Sequence, residues 1–182
     1  MDLRSIVLEG KIDICISGVF GKDQTLYLPP DLEGLGIVEM SDICGCLAFG
    51  VDSGNPILER DSIKLEECSA LRFVTPAAKY LDFYRQSFTL MCQQEGGFTP
   101  KYEYKPVGNH RFFYSEGPGN CAYMLAGSLG GGGYSFLTPA VEATVTKIMF
   151  PEIQAFPIAV YNVEAVDDVV VEFAESLGRS IR

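Results

Sequence analysis

The sequence predicts an α+β fold in which a mostly antiparallel β-sheet of about seven to eight strands carries two or three helices. Segments with alternating apolar residues, separated by turn residues, fill the first 74 positions. Helix-period apolar stripes follow Thr75 and precede Gly178. No shift in composition marks a linker, so residues 1–182 are expected to form a single α+β domain.

The β-rich half opens on an alternating isoleucine pattern. Ile12, Ile14 and Ile16 are separated by more polar residues, which predicts a strand with one buried face. A second strand is predicted over 25–28 and ends at Pro29-Pro30, because proline cannot donate to a β-ladder. Two further extended segments are predicted over 43–51 and 62–74.

The clearest helix signal begins at Thr75-Pro76, a threonine cap followed by proline at the first helical position. The apolar stripe consists of Ala77, Leu81, Tyr84, Phe88 and Met91. Gly96-Gly97 predicts the end of the helix.

The second half continues with short elements. Alternating residues over 101–106 and 111–115 predict a hairpin, and a short strand is predicted over 121–126. Residues 139–149 favour a helix slightly over a strand. A final strand is predicted over 157–161, followed by a helix that Asn162 caps and Gly178 ends.

Charge and targeting exclude several classes of partner. With 24 acidic and 14 basic residues, the net charge is −10, which disfavours nucleic acid and anionic membranes. Charged residues interrupt the apolar N-terminal segment, so no signal peptide is predicted. The six cysteines lie in apolar segments and are interpreted as reduced thiols, which predicts a cytoplasmic protein.

The sequence offers few residues for a catalytic or metal-binding site. His110 is the one histidine and lies in a predicted turn, yet a nucleophilic Cys92 or Cys121 could still meet it in the fold. The pair Cys44 and Cys46 lacks the second ligand pair that zinc sites usually show. We therefore expect no catalytic residues, no metal and no cofactor.

Glycine-rich segments suggest a binding surface. Residues 117–122 match the spacing of a dinucleotide fingerprint, but no helix-length segment follows them. Residues 127–135 lack the lysine of a phosphate-binding loop. Runs of glycine allow another backbone to approach closely, and aromatic side chains flank this run. The predicted binding residues are Gly127, Gly130, Gly131, Gly132, Gly133, Tyr134 and Phe136.

Acidic pairs are interpreted as solvated surfaces. Glu66-Glu67 and Asp167-Asp168 are weak candidates for acid/base chemistry. Negative charge early in a helix suits the helix dipole. Asp167 and Asp168 are predicted to lie on an acidic helix face that binds a basic protein partner.

Two segments carry a resemblance to a known family. Residues 112–125, with their glycine-rich turn, and the C-terminal residues 171–177 are similar to SUKH-type proteins, also called the SMI1/KNR4 group. The resemblance implies an α+β module, and many members of that group are immunity proteins that bind toxins. It implies no site residue.

Together these observations predict a non-catalytic protein that functions by association. The expected role is an immunity-type protein, or a subunit or assembly factor of a symmetric particle such as a phage or viral structure. Its partner would be another protein, or a second copy through self-association, with no nucleic acid and no membrane. The alternative is a small cysteine-dependent enzyme that uses His110.

Overall fold

The computed structural model describes residues 1–23, 25–40, 45–51, 56–60, 64–105, 121–128, 153–164 and 167–181. Three α-helices lie within these ranges: α1 (Leu3–Leu8), α2 (Asp82–Glu95) and α3 (Asp168–Ser176). The strands in them are β1 (Ile14–Lys22), β2 (Thr25–Leu26), β3 (Leu35–Glu39), β4 (Gly45–Val51), β5 (Arg72–Pro76), β6 (Lys101–Lys105), β7 (Cys121–Ser128), β8 (Ile153–Asn162) and β9 (Arg179–Ser180).

The long strand β8 organises the sheet. It pairs with β1 along its whole length, and on its other side with β3 at one end and β4 at the other. The sheet continues in the order β2-β1-β8-β4-β7-β5-β6, while β9 pairs with β3. All these pairs are antiparallel except β5 with β6 and β5 with β7.

The α+β class is therefore confirmed: a curled antiparallel sheet carries a small parallel part and few helices. The count of seven to eight strands is not confirmed, because the described ranges alone contain nine. Short strands such as β2 and β9, each of two residues, explain part of the difference. No helix in these ranges is long and apolar enough to cross a membrane.

The core is built from an aromatic cluster beneath α2. Phe88 of α2 is fully buried between Phe20 of β1 and Phe73 of β5, with ring centroids 5.2 and 5.0 Å away. These contacts join strands that lie far apart in the order of the sheet. The other face of β1 and β8 is covered by α1, whose Leu3 and Val7 are buried.

The predicted helix start at Thr75-Pro76 is wrong, because both residues belong to β5. A 3-10 turn over Lys79–Leu81 separates them from α2, which begins at Asp82. Proline can end a strand as readily as it begins a helix, and a β-branched threonine favours the strand. The predicted stop is confirmed, since Gly96 is the C-cap and Gly97 has a φ of +67°.

The predicted strand β1 is confirmed, but the face that the isoleucines were predicted to bury is partly exposed. Ile16 is 56% exposed, whereas Val19 and Phe20 further along the strand are fully buried. Ile14 packs beside Ala174 of α3, and this helix leaves Ile16 uncovered.

Other predicted elements differ in pairing or type. The segment over 62–74 contains a 3-10 helix, Leu65–Ala70, before β5. The expected hairpin partner of β6, 111–115, lies outside the described residues, as does 139–149, and β6 pairs in parallel with β5. Asn162 ends β8 and accepts a hydrogen bond from the Glu164 amide; Asp167 is the N-cap of α3.

Candidate functional site

The residues predicted as a binding surface fall into two places. Gly127 lies in β7 opposite Cys46 of β4. Gly130, Gly131, Gly132, Gly133, Tyr134 and Phe136 lie outside the described residues. Asp167 and Asp168 are exposed at the start of α3. Their binding roles stay predictions.

Two parallel strands end together at one edge of the sheet. β5 lies between β6 and β7 and is parallel to both. Pro76 and Lys105 lie opposite each other at the carboxyl ends of β5 and β6, whereas β7 continues past the end of β5 to Ser128. The chain leaves β5 through α2 towards β6, whereas β7 lies on the opposite side of β5. Ligands of parallel sheets bind outside the carboxyl ends of strands whose connections diverge in this way.

The amino end of α2 brings a buried cation to this edge. Arg85 is 5% exposed, and its Nη2 donates to the carbonyl oxygen of Ala78 at 2.8 Å. The same nitrogen forms an ion pair with Asp82. Its guanidinium carbon lies 5.3 Å from the centre of the Tyr104 ring, within the range of a cation–π contact.

A hydroxyl pair joins β6 to the first turns of α2. The hydroxyl of Tyr102 donates to the carbonyl oxygen of Arg85 at 2.9 Å, and the Thr89 hydroxyl donates to the same oxygen at 2.8 Å. Burial raises the pKa of Tyr102, so its phenol stays neutral. On the neighbouring strand, the buried Thr75 lies opposite Tyr104.

Unlike the hydroxyls of Tyr102 and Thr89, that of Tyr84 is not paired with a described residue. Its ring lies 4.7 Å from that of Phe20, and a methyl group added at Gly18 would meet the ring at 3.4 Å. Its hydroxyl oxygen is buried and has no hydrogen-bond partner among the described residues. Burial, with a smaller effect of Tyr102, raises the pKa of Tyr84, so the group is a neutral donor.

We name this set of side chains the edge site: Thr75, Arg85, Tyr102 and Tyr104. It combines aromatic rings, a buried guanidinium and a neutral phenol donor at the carboxyl edge of parallel strands. Such a set can orient a small organic molecule through a few polar contacts within an aromatic lining.

The pKa values of the Cys15, Cys68 and Cys92 thiols are raised, so these three cysteines are not activated. Cys68 and Cys92 are buried in the aromatic core, and burial raises the pKa of the Cys68 thiol to about 12. Burial likewise raises the pKa of Cys92 and of Cys15. A nucleophilic cysteine requires a lowered pKa, which speaks against Cys92 as the nucleophile. His110 lies outside the described residues.

No group of histidine, cysteine or carboxylate side chains in the described ranges could hold a metal ion. The site residues that sequence reasoning missed are Arg85, Tyr102 and Tyr104. The available signals were a charged residue next to the apolar stripe of the helix and two tyrosines that alternate with charged residues.

Comparison with known proteins identifies the fold. No family model and no curated protein sequence matches the chain. Among solved structures, the MetR regulatory domain of N. meningitidis, a LysR family regulator, is 11% identical with a TM-score of 0.58, covering 98% of this chain and 74% of that one. The fold matches LysR-type regulatory domains.

Two further structures agree with this assignment. OxyR from Porphyromonas gingivalis is 17% identical with a TM-score of 0.55, covering 96% of this chain and 71% of that one. The effector-binding domain of QuiR in complex with shikimate is 11% identical with a TM-score of 0.57, covering 96% and 77%.

These likenesses correct two predictions and confirm a third. The fold neighbours are regulatory and effector-binding domains, so the prediction of an immunity protein or a virion assembly component is wrong. The exclusion of nucleic acid as a partner is also contradicted, because the fold is shared with CbnR, a LysR family transcriptional regulator. The prediction of a non-enzyme is confirmed at the level of the fold, since LysR-type regulatory domains are not enzymes.

Proposed function

We propose that this chain is a regulatory domain that binds a small-molecule effector at the edge site. The observation that carries the proposal is the buried Arg85 of α2, which contacts the Tyr104 ring where the parallel strands β5 and β6 end. The likeness to the effector-binding domain of QuiR supports it. A bound effector would change the balance between two arrangements of a regulator according to its affinity for each.

The organisation of the protein follows from this role. Residues 1–182 would form a single domain, since strands near the two ends of the chain, β1 and β9, join one sheet. LysR-type regulators are cytoplasmic, and we propose the same location here. The excess of acidic residues in this chain favours contact with DNA through another part of the regulator.

The test is thermal unfolding of the chain with a set of small cyclic acids and amides, including shikimate, which QuiR binds. A ligand present at 100 times its dissociation constant stabilises a folded protein by about 2.7 kcal/mol. We expect at least one compound to raise the unfolding temperature with saturable dependence on concentration.

Two matched variants assign this effect to the edge site. Thr75→Val removes a buried hydroxyl at the end of β5, and Thr99→Val makes the same change at the opposite end of α2, where Thr99 is exposed. We expect Thr75→Val to weaken binding and Thr99→Val to leave it unchanged. If no compound stabilises the wild-type chain, or if both variants bind alike, the proposed function is wrong.

A further inference from the structure

The C-terminal helix α3 leaves part of its apolar surface uncovered. Ala174 is fully buried against β3 and β8, and Leu177 packs beside it. Earlier in the helix, Phe173 and Val169 are 57% and 68% exposed. Residues four apart are neighbours on a helix, so Val169, Phe173 and Leu177 form one row that begins in solvent and ends at the core.

The sheet beneath α3 also has apolar surface that the helix does not cover. Ile16 of β1 lies opposite Ala159 of β8, which lies opposite Val38 of β3. Residues paired in this way point to the same face of the sheet. Ala159 and Val38 are fully buried in the cluster beneath α3, whereas Ile16 is 56% exposed. We name the exposed residues Ile16, Val169 and Phe173 the α3 patch.

Acidic side chains border the α3 patch. Residues 163–178 contain five acidic residues and no basic residue. The exposed Glu172 lies three positions from Val169, so the two side chains are neighbours on the helix. Asp168 and Glu175 neighbour Glu172 in turn, and adjacent like charges destabilise a helix. Within the part of the chain that the structure describes, none of these three carboxylates has a cationic partner.

The combination of apolar and acidic surface favours one kind of partner. Exposed apolar side chains with a polar rim mark interaction sites. A second copy of this chain would bring carboxylates against carboxylates, and an anionic membrane would repel them in the same way. A basic protein segment would instead pair with the carboxylates and relieve their mutual repulsion. An amphipathic helix with cationic residues beside its apolar side chains complements both parts of the surface.

We propose that the α3 patch and its bordering carboxylates bind a basic amphipathic helix of another protein. Phe173 is the apolar anchor, since aromatic side chains dominate the energetics of such interfaces. Asp168, Glu172 and Glu175 pair with lysine or arginine at the rim. This surface lies on β3 and β8, whereas the edge site lies at β5 and β6 near the other end of the sheet, so the proposal is independent of effector binding.

The test measures the binding of three synthetic peptides to the full chain by calorimetry. The first peptide forms a helix with leucine along one face and lysine elsewhere. The second replaces each lysine by glutamate, and the third replaces each leucine by serine. We expect the first peptide to bind about tenfold more tightly than the third, and the second not to bind. Because part of the attraction is electrostatic, the affinity for the first peptide should fall as the salt concentration rises.

Variants of the chain locate the binding surface. Phe173→Ser should weaken binding of the first peptide about tenfold, and Phe173→Leu, which keeps an apolar side chain, should restore most of the affinity. Glu172→Lys should weaken it about threefold or more. Glu66→Lys changes the net charge equally at an exposed residue far from α3 and should have a smaller effect. Urea unfolding should show all four variants close to the wild type in stability, because these side chains are exposed.

Each alternative outcome would overturn the proposal. Failure of the first peptide to bind would exclude a basic amphipathic partner. Equal affinities for the wild type and Phe173→Ser, or equal effects of Glu172→Lys and Glu66→Lys, would mean that the peptide follows net charge and binds elsewhere.

Two further measurements test the other occupants of the surface. If sedimentation shows a wild-type dimer that Phe173→Ser dissociates, the occupant is a second copy of the chain and the proposed partner is wrong. If the wild type floats with phosphatidylcholine vesicles and Phe173→Ser does not, the occupant is a membrane and the proposal is again wrong. The edge site is tested separately with small molecules, so failure here leaves the proposed function standing.

Discussion

The carboxyl end of α2 is closed by paired groups, whereas its amino end keeps a buried phenol without a described partner. At the carboxyl end, Glu95 accepts from Lys22 and from Tyr27, both at 2.7 Å. These bonds tie the helix to the β1–β2 hairpin. At the amino end, the hydroxyl oxygen of Tyr84 is buried, and its partly buried ring lies beside an aromatic ring and a glycine.

The difference lies in how the polar groups at each end are satisfied: Glu95 is paired twice, whereas the Tyr84 hydroxyl has no described partner. Groups that pair within the protein stabilise it. Groups that stay unpaired weaken the fold, and such local cost is typical of functional sites. The predictions below test whether the two ends of one helix divide these tasks.

The largest expected effect comes from the core that both ends share. Phe88→Ala removes the ring between Phe20 and Phe73, and such changes cost about 3–5 kcal/mol of stability. Urea unfolding measures this loss. Phe173→Ala, at a residue that is 57% exposed on α3, is the control and should change stability by about 0.5 kcal/mol or less. Equal effects of the two variants would contradict the burial of Phe88.

Glu95→Ala removes the interactions that tie the carboxyl end of α2 to Lys22 and Tyr27. It removes an ion pair and a hydrogen bond that are both partly shielded from water, so we expect a loss of about 2 kcal/mol. Effector binding at the other end should stay unchanged. Glu172→Ala, at an exposed residue of α3, is the matched control for removing a helical glutamate. A similar loss in this control would mean that general helix effects explain the result.

Protonation of Glu95 in acid should weaken the same interactions reversibly. Hydrogen bonds from Lys22 and Tyr27 lower the pKa of Glu95, so its stabilising effect is present above the unfolded pKa of about 4.3 and is lost as the pH falls through the folded value. At pH 7 the wild type should exceed Glu95→Gln in stability by about 1 kcal/mol. Urea unfolding from pH 7 to pH 3 should show this difference fading in acid; a constant difference would contradict the role of the charge.

Sequence patterns predicted the elements whose signals are local. The alternation around Ile14 predicted β1, the segment 157–161 lies within β8, and Gly96-Gly97 marked the end of α2. Thr75-Pro76 misled because its two residues suit the end of a strand as well as the start of a helix. Parallel pairing of β5 with β6 depends on the crossover through α2, which no local pattern reports.

Neither the edge site nor the Tyr84 hydroxyl without a described partner could be predicted from local sequence patterns. Tyr84 matched the apolar stripe, and nothing in its spacing shows whether its hydroxyl finds an acceptor. The contact of Arg85 with Tyr104 joins residues 19 positions apart and depends on the parallel pairing of β6 with β5, whereas the sequence predicts a hairpin between 101–106 and 111–115. A site of this kind becomes visible when register and helix rotation are both known.

The smallest expected effect concerns the turn that follows the closed end. Gly97 has a φ of +67°, and a methyl group added there would meet no atom within 4 Å, so Gly97→Ala tests backbone conformation alone. The left-handed region disfavours alanine by about 1 kcal/mol, whereas asparagine tolerates it better. Urea unfolding should therefore rank the wild type above Gly97→Asn, and Gly97→Ala last. Because the substitution leaves Tyr84 and Arg85 in place, effector affinity should not change; a weaker affinity in Gly97→Ala would mean that the two ends of α2 are coupled.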